Sequence, residues 1–174
     1  MVENPDFQAT EGNHQASKPQ KAETREGELH LRFFVAEGSE FALPATGIRR
    51  IIQHAPDYIT PVPNVSPLLL GTLNQQGQVI WVADLGQFLG CAKLMNTDCA
   101  EIPVIAVEEQ GIVLGLAVDK VVGTDWLDPE SLKATTNPSD GMAPFLKGEW
   151  LLGSGSPLKL LDHVAILHSA RWVA

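Results

Sequence analysis

GTLNQQGQVIWVADL, residues Gly71 to Leu85, is the stretch from which the fold is read. It joins a short alternating segment to a tight turn, a second alternating segment and an aspartate. Val79, Trp81 and Ala83 occur at every second position, so one face of a sheet collects them while Gln78, Ile80 and Val82 face the other way. Leu73, from the first segment, is assigned to the same face as Val79, Trp81 and Ala83. Both faces are apolar beyond Gln78, which predicts a strand inside a sheet. Asn74 to Gly77 supply the turn, because Asn and Gly tolerate positive φ. Asp84 then stands where its carboxylate can accept from the free N–H groups of a short helix over Leu85, Phe88 and Leu89. The unit reads as strand, turn, strand, one-turn helix.

Around this unit, 174 residues with 44% apolar composition suffice for one domain or two small ones sharing a core. A net charge of -9 argues against nucleic acid as a partner, since non-specific binding depends on neutralising phosphates with Lys and Arg. Arg49 and Arg50 form the one adjacent basic pair. The longest run without a polar side chain, Gly111 to Val118, falls far short of the roughly 18 residues that span a bilayer. The opening MVENPDFQAT has neither the basic region nor the apolar core of a secretory signal, so a cytoplasmic location is expected. Cys91 and Cys99 form no CxxC pair and have no histidine at ligand spacing. They read as free thiols, and no metal or cofactor is expected.

Residues 1–28 hold few apolar side chains among many polar ones and read as a flexible, mildly acidic tail. The folded part is expected over 29–172. It opens as short strands, LHLRFFVAEG, SEFALPATGI and RRIIQH, followed by a proline-rich bend from Pro56 to Pro67. The second half repeats this plan. FALPATGI lies over LGLAVDKV without a gap, and FLKGEWLLGSGSPLKLLDHVAIL echoes QQGQVIWVADLGQFL: turn, apolar strand, aspartate, short helix. Two copies rather than an array point to twin small barrels packed together as intertwined subdomains, at about residues 29–95 and 100–165, with a C-terminal helix. Neither half buries much core alone, so the two should not be separable.

Asp84, Asp119 and Asp162 each follow an apolar strand. Capping is the commoner role for such a residue, and HVAIL directly after Asp162 suits it. The rival reading pairs Asp84 with Asp162 as the carboxylates of a hydrolase. His163 and His168 are five apart, which puts them on different faces of a helix, and GSGS at 153–156 lacks the lysine of a phosphate loop and reads as a hairpin loop. Val62, Val65, Leu68 to Leu70 and Trp126 are core filler unless they form a contiguous exposed patch, which would mark an interface.

Taken in order, these motifs resemble the CheW-like family, the coupling proteins of bacterial chemotaxis-type signalling. The resemblance rests on the leucine-proline step ending Phe41 to Pro44 and the ITPVP bend, Ile59 to Pro63. It continues through Gly71, Asn74 and Gly77 of a G-x-x-N-x-R-G pattern, the V-x-D-L of Val82, Asp84 and Leu85, and Leu114 to Lys120 with Gly115 and Asp119. It implies a mainly β fold of two SH3-like five-stranded barrels with short helices. The implied function is a non-enzymatic adaptor linking a methyl-accepting chemoreceptor-type protein to a CheA-type histidine kinase, in chemotaxis or type IV pilus motility, recruited to membrane-associated arrays without inserting. It further implies partner contacts through Leu43, Ile48, Ile51, Gly71, Leu73, Asn74, Gln76, Gly77 and Val79. The pattern's arginine is Gln76 here, a neutral amide in place of a cation.

Overall fold

In the computed structural model, residues 27–35 and 38–173 are described. All but the last two residues of the expected tail therefore lie outside the described residues. Ten strands follow one another with short helices: β1 (Glu28–Val35), β2 (Ser39–Pro44), β3 (Ile48–His54), β4 (Leu69–Gln75), β5 (Gln78–Asp84), α1 (Leu85–Phe88), β6 (Ile102–Glu109), β7 (Ile112–Ala117), β8 (Lys120–Leu127), β9 (Leu146–Leu151), β10 (Pro157–Leu161) and α2 (His163–Leu167). The fold is mainly β, in two five-stranded curled sheets of orders β8-β1-β2-β10-β9 and β3-β6-β7-β5-β4.

The internal repeat explains both orders. Replacing β1, β2, β8, β10 and β9 by β6, β7, β3, β5 and β4 converts the first sheet into the second, including its single parallel pair, β2 with β10 in one and β5 with β7 in the other. The repeat is β1 to α1 and β6 to α2, but the halves exchange strands. The first sheet takes two strands from the first repeat and three from the second, and the other sheet does the reverse. Each barrel therefore draws on both the 29–95 and the 100–165 range. Each sheet joins the repeats twice, through its parallel pair and through an antiparallel one, β1 with β8 in the first and β3 with β6 in the second.

Local chemistry places the turns. Gln76 and Gly77 have φ of 50° and 83°, and Gln110 and Gly111 have 49° and 80°, so both are two-residue hairpin loops with left-handed residues at each position. The first loop sets the register Leu73↔Ile80 and Asn74↔Val79. Leu73 therefore shares the face of Ile80 and Val82, not that of Val79 and Trp81. A hairpin loop with an even number of residues pairs odd positions of one strand with even positions of the next, so the alternation of Val79, Trp81 and Ala83 does not carry back across the turn to Leu73.

Three apolar clusters fill the molecule. Ile52, Leu73, Ile80, Val82, Val104 and their neighbours fill the barrel of the second sheet. Ala42, Leu127, Trp150, Leu158 and Leu160 fill the other. The largest, with Leu31, Phe33, Phe41, Leu43, Ala83, Ile105, Leu116 and Phe88, takes side chains from both sheets and lies between the barrels. On β2 the alternation is direct: Phe41 and Leu43 face the other barrel, while Ala42 faces its own interior.

Candidate functional site

The face of β5 that carries Ala83 belongs to the layer between the barrels. At Ala83 that face is fully covered; two and four residues earlier, Trp81 and Val79 are 38% and 63% exposed. The neighbouring strand β7 runs parallel, with Trp81 opposite Leu114, and its Ile112 is 47% exposed. Where the barrels diverge, the inter-barrel layer thus becomes an open apolar groove of about 420 Å³. Trp81, Ile112 and Leu114 line one side, Val65 and Ser66 of the proline-rich bend with Leu69 of β4 another, and Leu167 and Trp172 a third. Its floor is apolar and its polar groups are few, which suits an apolar ridge of a partner protein.

The C-terminal segment holds that wall in place. Arg171 Nη1 donates to the carbonyls of Phe88 at 2.8 Å and Gly141 at 2.6 Å, and its guanidinium lies 5.4 Å and 4.8 Å from the Phe88 and Phe145 ring centroids. Trp172 stacks on Phe88 at 4.3 Å and donates through Nε1 to the Ile166 carbonyl. Ser66 donates to the Arg171 carbonyl at 3.3 Å, which ties the bend to the same wall. Neither Ile112, Leu167 nor Trp172 was singled out in the sequence. The alternation of Trp81 was seen, but alternation does not reveal where a covering layer stops.

Of the nine residues implied as partner contacts, the structure divides buried from exposed. Leu43 is fully buried between the barrels and Leu73 is 2% exposed inside one, so both are corrected to core positions. Ile48 is half-buried against the inter-barrel layer. Gly71 is buried and has a structural cause: Thr60 and Thr72 exchange backbone hydrogen bonds of 2.8 and 2.9 Å, and a Cβ on Gly71 would run into the Thr60 carbonyl. The second repeat copies this at Gly148, where Lys133 and Glu149 exchange the same pair of bonds. Both glycines hold φ near 150°, at 148° and 153°. Each contact covers the outer edge of its strand, β4 or β9, and blunts it against unwanted pairing.

Ile51, Asn74, Gln76, Gly77 and Val79 are exposed. The hairpin tip and β3, at opposite ends of the sheet order, are brought together as the sheet curls. Arg50 Nη1 donates to Gln76 Oε1 at 3.4 Å, and His54 Nε2 lies 3.3 Å from Gln75 Oε1. These contacts close the mouth of the barrel.

The carboxylate pair of the hydrolase reading is not supported. Asp84 accepts from the Gln87 N–H at 3.2 Å and the Met95 N–H at 3.1 Å; Asp162 accepts from the Ala165 N–H at 3.1 Å. Each caps its own helix in equivalent places of the repeat. Asp119 is pushed above the ordinary carboxylate value by burial, with Lys93 opposing the shift and Asp84 adding to it. Among the described residues no group of three or more His, Cys, Asp and Glu is arranged to hold a metal, and no helix is long and apolar enough to cross a membrane.

The family model of the CheW-like domain matches residues 30–171. The chain belongs to the CheW-like family. A similar solved structure is that of the scaffolding protein TtCheW from Thermoanaerobacter tengcongensis, with a TM-score of 0.67 and 22% identity over 78% of this chain and 89% of that one. A search of curated proteins gave no match. Like the CheW fold, the present one consists of two SH3-like barrels. CheW-like proteins are non-enzymatic scaffolds of the chemotaxis type, and this chain is one of them.

Proposed function

We propose that the protein is an adaptor that holds a chemoreceptor-type protein and a CheA-type histidine kinase in fixed relative geometry. In this reading it works from the cytoplasm at membrane-associated receptor arrays, in chemotaxis or in type IV pilus motility. The observation that carries it is the groove at the open end of the inter-barrel layer, where Trp81, Ile112 and Val79 stay exposed. Family membership supports the same reading. The groove receives one partner; the barrel mouth, with Ile51, Asn74, Gln76 and Gly77, faces another. Two separate surfaces on one rigid body let a shift in one partner alter the other through linked binding equilibria.

The test is a binding titration of wild type and Trp81→Glu with the receptor's cytoplasmic tip and with the kinase regulatory domain from the same organism. A charge in the apolar groove is expected to weaken one partner at least tenfold, about 1.4 kcal/mol, with thermal unfolding little changed. Undiminished binding of both partners by Trp81→Glu would remove the groove from the account.

A further inference from the structure

The barrel mouth has an unusual charge distribution for an acidic chain. Four arginines are described. Arg32 pairs with Glu40 and Asp125, Arg49 with Glu108 at 3.5 Å, and Arg171 is enclosed by two carbonyls and two rings. Arg50 pairs with no carboxylate among the described residues; its contact is the long, neutral one to Gln76 Oε1 at a solvent-exposed seam. The cleft around it is lined by Gln75, Gln78 and the apolar Ile80, Ala106 and Val113, besides Arg49. Glu108, on the neighbouring strand β6, pairs with Arg49.

We propose that Arg50 is the charge anchor of this surface and selects a partner protein that presents a carboxylate to the barrel mouth; this rests on the adaptor reading. Gln76 is the matching piece. Its side-chain oxygen faces the guanidinium and orients it without neutralising it, leaving the remaining N–H donors free for a bidentate carboxylate. An arginine at position 76 would set two cations against each other at this distance, so the cation of the family pattern is supplied here from β3 instead of from the hairpin tip. With Arg49 paired to Glu108, Arg50 is the cation of this cleft left without a carboxylate partner among the described residues, which gives discrimination by charge: an acidic partner group is drawn in, and a basic one is repelled.

The experiment titrates the kinase regulatory domain and the receptor tip, separately and at low and high salt, into wild type, Arg50→Gln, Arg50→Lys and Gln76→Arg. The expected result is that Arg50→Gln weakens one of the two partners about tenfold at low salt and flattens its salt dependence, while the other partner is bound as before. Arg50→Lys keeps the charge but not the planar fork, so it retains the salt dependence with an affinity between those of wild type and Arg50→Gln, which separates loss of charge from loss of fold. Gln76→Arg weakens binding instead of strengthening it. Equal binding of both partners by wild type and Arg50→Gln overturns the anchor and leaves the adaptor reading standing. Failure of wild type to bind either protein overturns both.

Discussion

At the scale of residues, backbone chemistry decides more than side-chain identity. Gly71 sits where a Cβ would strike the Thr60 carbonyl, whereas Gly111 has open space around the same position. Gly71→Ala should therefore cost about 3 kcal/mol, and Gly111→Ala, which bears only the left-handed backbone penalty, about 1 kcal/mol; urea unfolding of both variants measures the difference. Near-equal losses would mean that Thr60 yields easily. Asp119 gives a pH test. Burial raises its native carboxyl above the unfolded value, so the folded state binds the proton more tightly. Its contribution to stability is present below the unfolded value and is lost as pH rises through the native one. Asp119→Asn should thus gain stability relative to wild type as pH climbs through the carboxylate range, read from melting temperatures between about pH 3 and about pH 7. A constant offset would assign the shift no role. The capping aspartates were legible in the sequence because a cap needs only local neighbours. The Gly71 contact was not, because its partner lies across the proline-rich bend.

At the scale of elements, hairpins and short helices follow from alternation and turn chemistry, and the repeat of strand pair, aspartate and helix was readable from Gln75 to Leu89 and again from Phe145 to Leu167. What escaped was parity: a two-residue loop at Gln76 and Gly77 moved Leu73 to the opposite face. The C-terminal segment Ala170–Trp172 escaped as well, since an arginine and a tryptophan near a chain end have no periodicity to announce them. Yet Arg171 links α1, the Gly141 loop and the Phe145 turn in one place. Arg171→Ala should lower stability by about 3 kcal/mol, through two charge-assisted hydrogen bonds and contacts with two rings. It should also loosen the groove wall at Trp172, seen as faster hydrogen exchange at Ile166 and Leu167. Stability and exchange equal to wild type would show that the segment is not a clamp.

At the scale of the molecule, the exchange of strands between repeats makes the two barrels one folding unit. Neither 29–95 nor 100–165 contains a complete sheet. Each fragment made alone should give the circular dichroism of an unfolded chain, and the full chain should unfold in one transition by both fluorescence and far-ultraviolet signals. A fragment that folds alone would contradict the topology. The twin-barrel architecture was legible because the repeat survives in the order of motifs. Which strands pair across the repeats was not, because pairing between distant segments leaves no local mark.

Rigidity of this kind is what an adaptor requires, and its central claim is simultaneous occupancy. The most direct measurement is light scattering on a sizing column with the protein, the kinase regulatory domain and the receptor tip mixed together and in pairs. The expected result is a three-component complex whose mass is the sum of all partners, together with both binary complexes. Partners that displace one another, so that no ternary species forms, would contradict it.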